Sequence, residues 1–209
     1  EVRNAFTAEM NTQMAEAILA ADFDDDIAMI AITGAGDKAF CSGADLNEAR
    51  QAADAGEVFR GPLRTTRRGL FEVMIDSKKP IMAIVNGPAI AGGFELALAA
   101  DIRIAAEDAY FALPEAKRAR GAHFASVVLP QMVPPGIAME WLYTGRRIPL
   151  DEAERWGLIN RRATATTLMD TAMDLAAEIL TSAPLSLQRM KLTYRKTFGM
   201  PLLSALRLD

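Results

Sequence analysis

Cysteine and histidine are nearly absent from this sequence, which has one of each, Cys41 and His123. A single cysteine cannot form a disulfide within the chain, and a single histidine cannot supply a metal site built from several imidazoles. A serine–histidine–aspartate triad would have to use His123, whose sequence neighbours suggest no acid–base partner. The sequence therefore excludes a disulfide-stapled scaffold and a multi-histidine metal centre, and it is typical of a reducing compartment.

The chain also lacks a long hydrophobic run and an excess of basic residues. Its most apolar stretch, residues 80–100, is interrupted by Asn86, Pro88 and Glu95 and is too broken to cross a bilayer. Lys and Arg total 23 against 27 Asp and Glu, a net charge of −4, which argues against nucleic acid as the main ligand. We expect a soluble cytoplasmic protein without membrane contact; an organelle matrix stays open because the chain begins at Glu1 without a methionine.

Hydrophobic residues make up 51% of the 209 residues, enough for one domain with a sizeable core. Unbroken apolar runs at 27–33, 80–87 and 101–107 are typical of strands buried on both faces, and helical patterns lie between them. This alternation predicts an α/β core with parallel strands. From Gly136 onward the pattern predicts helices throughout, including an amphipathic stretch over 166–180.

Two earlier segments also predict helices. In residues 7–21, Thr7 is a candidate N-cap, and one face carries the apolar side chains that we expect in the core. Those side chains are Met10, Met14, Ile18 and Leu19. The second segment, residues 57–75, lies between the first two predicted strands.

The segment GAGDKA, at 34–39, fits the dinucleotide-binding pattern G-x-G-x-x-G/A directly after a predicted strand. That pattern has to open a helix, so that the helix N-terminus faces a pyrophosphate. Here the chain continues into AFCSGADL, whose composition favours another loop. A nucleotide-binding function is therefore the less favoured interpretation of this segment.

A more specific signal follows the second predicted strand. The loop after Asn86 carries Gly92 and Gly93 directly before the helix-forming run FELALAA. Glycines at a helix entrance leave backbone N–H groups uncovered and let a ligand oxygen approach, and the helix dipole favours negative charge there. The loop is therefore a candidate anion site, although a tight strand-to-helix turn would show the same residues.

The segment CSGADL, at 41–46, repeats this pattern in another part of the chain. Gly43 and Ala44 follow a buried strand and precede a helix that we expect to begin near Asp45. Two such loops could direct two N–H groups at one oxygen, the arrangement called an oxyanion hole. Whether the loops converge does not follow from the sequence.

Two glutamates accompany these loops. Glu95 falls in the first turn of the glycine-led helix among apolar neighbours, and Glu115 follows Leu113-Pro114 at the end of a strand. Each has an alternative role: Glu95 could only complement the helix dipole, and Glu115 could cap a helix or pair with Lys117 or Arg118. Their occurrence together beside a candidate oxyanion hole favours catalysis by a pair of carboxyl groups.

Three strings carry a resemblance that covers nearly the whole chain. They are TGAGDKAFCSGADL, KKPIMAIVNGPAIAGGFELALAADIRIAAEDAYFALPEAK and YTGRRIPLDEAERWGLINR. In order and spacing they resemble the enoyl-CoA hydratase/isomerase, or crotonase, superfamily. The resemblance implies an α/β fold, a spiral of ββα repeats over residues 1–135, with a C-terminal helical region over 136–209 that forms a homotrimer or a dimer of trimers. The two regions would act as one functional unit.

The resemblance also implies an activity: an enoyl-CoA hydratase that adds water reversibly to a 2-enoyl-CoA thioester. By position, the N–H groups of Ala44 and Gly92 would hold the thioester oxygen, and Glu95 and Glu115 would flank the double bond. Two filled carboxylate positions favour hydration, because isomerases of this superfamily often keep only one. Further substrate contacts would come from Gly43, Asp45, Leu46, Gly93, His123 and Phe124. We expect no metal and no cofactor, since coenzyme A is part of the substrate.

Some features depart from the family pattern. The usual three-glycine run is shortened to Ala91-Gly92-Gly93, and His123 and Phe124 stand where small residues are usual. The altered loop after Glu115 keeps open an enoyl-CoA isomerase or another enolate-forming crotonase. An N-terminal strand pair and a final C-terminal segment seen in relatives have no counterpart here, so we expect both ends to be shortened.

Basic clusters keep open a third interpretation, a non-catalytic protein of this fold that binds acyl-CoA or RNA. The clusters consist of Lys117, Arg118 and Arg120, and of Arg64, Arg67 and Arg68. Retention of both glutamates argues against this interpretation, because a binding protein has no use for a paired acid and base.

Overall fold

Two β-sheets and surrounding helices form the protein, as seen in a computed structural model that describes residues 3–45, 54 and 68–207. The strands are β1 (Ile30–Thr33), β2 (Ile81–Val85), β3 (Ala89–Ile90), β4 (Ile102–Ala106), β5 (Tyr110–Ala112), β6 (Arg147–Pro149) and β7 (Arg161–Ala163). The helices are α1 (Ala8–Phe23), α2 (Leu70–Asp76), α3 (Gly92–Ala99), α4 (His123–Met132), α5 (Pro135–Thr144), α6 (Leu150–Arg155), α7 (Leu168–Leu180), α8 (Pro184–Thr197) and α9 (Leu202–Ala205), with a 3-10 helix over Pro114–Arg118.

The first sheet is parallel, with the strand order β1-β2-β4-β7. All five residues of β2 are buried, as its unbroken apolar run predicts. The prediction that β1 is buried on both faces is wrong, because Ala31 and Thr33 are exposed. β1 is an edge strand of this sheet. Its small side chains, Ala31 and Thr33, lie on a face that no described residue covers.

The second sheet has the order β3-β5-β6, with β3 parallel and β6 antiparallel to β5. The chain alternates between the sheets: β2 enters the first sheet, β3 the second, and α3 follows. It then repeats the path with β4, β5 and the 3-10 helix. This is the predicted ββα spiral, and it places the ends of β3 and β5 side by side.

Helix α1 begins as predicted, because the Thr7 Oγ1 accepts a hydrogen bond from the Met10 N–H at 3.0 Å. Ile18 is buried, and Met10 and Met14 pack against the core. Leu19 does not share that face: its side chain is 38% exposed, since one residue further along a helix turns it by about 100°.

The C-terminal part of the chain holds α5 to α9, but it is not helical throughout. β6 and β7 have three residues each, and such short strands show no hydrophobic periodicity in the sequence. β6 pairs with β5 and β7 pairs with β4, and both partners lie earlier in the chain. The amphipathic face predicted for α7 is confirmed, since Leu168 and Ala172 are buried. Of the helix predicted at 57–75, residues 68–75 are described, and within them the helix α2 begins only at Leu70, after its N-cap Gly69.

Within the described part of the chain, no helix is long and apolar enough to span a membrane.

Candidate active site

The first glycine-bearing loop, residues 41–45, is held in place by Phe6. The Phe6 N–H donates to the Gly43 carbonyl at 2.7 Å, and the Asp45 N–H donates to the Phe6 carbonyl at 2.8 Å. A trans peptide directs its C=O and N–H to opposite sides, so the Ala44 N–H points away from Phe6.

The second loop meets the first where α3 begins. A Cβ atom placed on Gly92 would lie 3.7 Å from the Gly43 Cα, and one placed on Gly43 would lie 3.2 Å from the Gly92 nitrogen. The Ile90 N–H donates to the Cys41 carbonyl at 2.9 Å, which ties β3 to the first loop. Among the described residues, neither the Ala44 N–H nor the Gly92 N–H donates to an acceptor. Two uncovered donors therefore lie on loops that contact each other.

Gly93 allows this close approach. A Cβ atom there would lie 2.2 Å from the Cys41 carbonyl oxygen, so any side chain would push the two loops apart. The Cys41 thiol is buried, and burial raises its pKa to about 11. Because that thiol stays protonated at neutral pH, Cys41 serves as packing beside the site.

Glu95 lies in the first turn of α3, with 7% of its surface exposed. Its Oε1 accepts a hydrogen bond from the Ala125 N–H at 2.9 Å, at the start of α4. Burial raises the pKa of Glu95 to about 7; the Ala125 N–H opposes this shift and the charge of Glu115 adds to it. The protonated and ionised forms of Glu95 are therefore both populated near neutral pH.

Glu115 lies in the 3-10 helix that follows β5, and its side chain is half-buried. Its Oε2 is buried without a hydrogen-bond partner among the described residues. Burial raises the pKa of Glu115, and the positive charge of Arg118 only partly opposes the shift. No ion pair joins Glu115 to Lys117 or Arg118 within the described chain. An orphaned buried oxygen of this kind suits a partner that arrives with a ligand.

The two glutamates influence each other, since the charge of Glu115 is one cause of the raised pKa of Glu95. Like charges disfavour simultaneous ionisation of both groups, so the pair favours one acid and one base. Such a pair can remove a proton at one atom of a ligand and deliver one at a neighbouring atom.

The other predicted site residues are spread more widely. His123 opens α4 with an exposed side chain, and the ring centroid of Phe124 lies 5.0 Å from that of Phe71. Asp45 is the last residue of the first loop, and Leu46 lies outside the described residues. Of the basic clusters, Lys117, Arg118 and Arg120 are exposed, Arg68 pairs with Asp76, and Arg64 and Arg67 are not described.

The N–H groups of Ala125 and Phe124, which both act on Glu95, were not predicted from the sequence. Backbone groups exist at every residue, and no capping side chain marks the start of α4. Only the packing of α4 against α3 shows them. Within the described residues, no group of three His, Cys, Asp or Glu side chains could hold a metal ion.

Comparison with known proteins identifies the family of this chain. The enoyl-CoA hydratase/isomerase family model matches residues 1–209. A carnitinyl-CoA dehydratase from Salmonella agona is 43% identical over 199 residues, covering 95% of this chain and 75% of that protein. An enoyl-CoA hydratase from Mycobacterium tuberculosis is 33% identical with a TM-score of 0.87, covering 98% of this chain and 78% of the other. A carnitinyl-CoA dehydratase from Mycobacterium avium is 37% identical with a TM-score of 0.82, covering 96% and 76%. The chain belongs to the enoyl-CoA hydratase/isomerase family, within the crotonase superfamily, and it is an enzyme of the hydratase and dehydratase type.

Proposed function

We propose that this protein adds water to, or removes it from, the α,β-carbons of an acyl-CoA thioester, a 2-enoyl-CoA in the hydration direction. The observation that carries the proposal is the contact between the two glycine-bearing loops, beside two carboxyl groups with raised pKa values. Coenzyme A would enter as part of the substrate, with no further cofactor.

The Ala44 and Gly92 N–H groups would bind the thioester carbonyl oxygen. Hydration and dehydration both place negative charge on that oxygen in an enolate-like transition state. Donors that already point at the oxygen stabilise this charge without reorganisation, and loss of one such donor typically costs about 3 to 4 kcal/mol.

Glu95 and Glu115 would transfer the protons. In hydration the ionised carboxyl group deprotonates water as it attacks the β-carbon, and the protonated one delivers a proton to the α-carbon. Dehydration runs the same steps in reverse.

The decisive experiment measures turnover of crotonyl-CoA by Glu95→Gln and Glu115→Gln variants. Each should lower kcat by about 100- to 10 000-fold, because glutamine keeps the shape but transfers no proton. Glu107→Gln, on an exposed turn residue, is the matched control and should keep wild-type turnover. Unchanged turnover in either site variant would remove that residue from the mechanism.

Reaction in ¹⁸O-labelled water separates hydration from isomerisation, the alternative that the altered loop after Glu115 keeps open. A hydratase incorporates the label at the β-carbon. A shifted double bond without label in the product would replace the proposal by an isomerase.

The relatives named carnitinyl-CoA dehydratase favour a finer candidate, an acyl group that carries a trimethylammonium. Phe124, next to the Ala125 N–H that binds Glu95, is partly exposed and offers an aromatic face, which attracts quaternary ammonium groups. Phe124→Leu should then lower kcat/KM for carnitinyl-CoA more than for 3-hydroxybutyryl-CoA. An equal loss for both substrates would contradict this candidate.

We also propose a homotrimer, or a dimer of trimers, formed through the C-terminal helices. α7, α8, α9 and the residues that directly follow α8 and α9 expose many large apolar side chains. These are Met169, Met173, Leu180, Leu185, Met190, Tyr194, Phe198, Met200, Leu202, Leu203 and Leu206. A surface of this kind is typical of a subunit interface.

A further inference from the structure

We propose that Ala91 is a positioning residue for the oxyanion hole: its methyl group and its glycine-like backbone conformation fix the spacing of the two loops. The inference rests on the proposed function and adds to it a residue that acts through its neighbours.

The backbone of Ala91 has an unusual conformation for alanine. Its φ is 54° and its ψ is −126°, close to the mirror image of the type II turn position at −60° and +120°. Glycine dominates that region because a Cβ atom is crowded there. An alanine at this position is strained, and the surrounding contacts have to hold it.

Those contacts involve the Glu95 backbone and the strand that precedes Glu115. The Ala91 N–H donates to the Ala112 carbonyl at 2.8 Å, at the end of the strand that leads to Glu115. The Ala91 carbonyl accepts from the Glu95 N–H at 3.0 Å. Gly92, whose N–H is the second proposed donor, follows directly.

The Ala91 methyl group contacts the first glycine-bearing loop, which carries the Ala44 N–H. A Cβ atom placed on Gly43 would lie 2.8 Å from the Ala91 Cβ, so the methyl group lies against the glycine that precedes Ala44. Ala91 thus contacts or adjoins both glycine-bearing loops, and its backbone hydrogen-bonds to α3 and to β5, the strand before Glu115. Removal of the methyl group would leave a gap between the loops and would let each donor move.

A glycine at position 91 should therefore have opposite effects on stability and on catalysis. Glycine relieves the backbone strain, so the free energy of unfolding should rise. It also removes the methyl group that sets the distance between the two N–H groups. A residue with only a structural role would show no such opposition, because relief of strain would leave kcat unchanged.

The experiment compares Ala91→Gly with two other variants. Ala91→Ser keeps a Cβ atom at position 91 and tests whether that atom carries the effect. Gly136→Ala lies in α5, where an added Cβ meets no atom within 4 Å, and should stabilise the fold without touching the site. The Gly136→Ala variant thus shows whether greater stability by itself lowers kcat.

Three measurements are made on each protein: the urea midpoint of unfolding, kcat and KM for crotonyl-CoA, and the infrared carbonyl band of bound butyryl-CoA. For Ala91→Gly we expect a higher midpoint, a kcat about 10- to 100-fold lower and a smaller shift of the carbonyl band. For Ala91→Ser we expect a kcat within a few-fold of wild type. Gly136→Ala should raise the midpoint and leave kcat and the band unchanged.

Wild-type kcat in Ala91→Gly would overturn the inference, as would a joint fall of midpoint and kcat, or an Ala91→Ser variant as slow as Ala91→Gly. These outcomes leave the proposed function intact as long as the wild-type protein turns over crotonyl-CoA. A wild-type protein that neither turns over substrate nor shifts the butyryl-CoA band would refute both.

Discussion

The Glu95 carboxyl group is subject to two opposing influences. It accepts an N–H at the start of α4, where a helix end stabilises negative charge, yet only 7% of the residue reaches solvent. The raised pKa, about 7, shows that burial outweighs the helix end. A carboxyl group held in this way can exchange a proton at neutral pH, which an exposed glutamate with a pKa near 4.5 cannot do efficiently.

The raised pKa makes the stability of the fold depend on pH. Between the unfolded value of 4.5 and the folded value of about 7, the folded state binds more protons than the unfolded state, so stability falls as pH rises. Glu95→Gln removes this cost. Relative to wild type, we expect the variant to gain about 3 kcal/mol of unfolding free energy between pH 4 and pH 8, measured by urea denaturation.

Glu107→Gln is again the matched control, because Glu107 is exposed. Its urea denaturation over the same pH range gives the effect of removing a carboxyl group from the surface. A pH-independent difference between Glu95→Gln and the wild type would contradict the raised pKa of Glu95.

At the scale of the elements, the position of α3 matters most, because its first turn carries Gly92 and Glu95. The far end of α3 is fixed by Arg103, a buried residue of β4. Its Nη1 donates to the carbonyls of Ala97 and Ala100 at 3.1 and 2.8 Å, and its Nε donates to that of Leu158 at 2.7 Å. Burial lowers the pKa of Arg103 to about 10, so the guanidinium stays charged at neutral pH.

Replacement of Arg103 by methionine should leave these buried carbonyls without donors. Each unsatisfied group costs about 1 to 3 kcal/mol, so we expect Arg103→Met to lower the unfolding free energy by about 3 kcal/mol or more, measured in urea. Arg161→Met, on an exposed residue of β7, should change it by less than about 0.5 kcal/mol. Equal effects of the two substitutions would show that the buried hydrogen bonds are not what stabilises α3.

At the scale of the whole molecule, the apolar surface of α7 to α9 is the main feature that a single chain leaves uncovered among its described residues. Met190 and Tyr194 are 68% and 55% exposed, one turn apart on α8. The same helix is anchored to the body by Lys191, which contacts Asp101 at 2.7 Å. α8 thus has one attached face and one free apolar face.

The double variant Met190→Lys, Tyr194→Lys should convert the proposed trimer or hexamer to a monomer in sedimentation velocity, because burial of two ammonium groups is costly. Phe23→Lys replaces an aromatic residue that is 82% exposed at the end of α1 and should keep the trimer. A wild-type protein that sediments as a monomer at all concentrations would rule out the assembly.

Much of this architecture was predictable from residue types. The apolar run of β2, the Thr7 cap of α1 and the buried face of α7 follow from local pattern, and all three are confirmed. The edge position of β1 and the existence of β6 and β7 were not predictable. A strand's neighbours come from distant parts of the chain, and three residues carry no readable period.

For the site, residue types along the chain predict the components: glycines where loops enter helices, and two glutamates in apolar surroundings. The packing of separate segments brings Gly43 against Gly92 and places the start of α4 over Glu95. The same packing makes Ala91 adopt a conformation suited to glycine. The reason is physical: local sequence sets backbone preferences and side-chain chemistry, whereas distances between loops and the loss of water around a carboxyl group arise only when separate segments pack together.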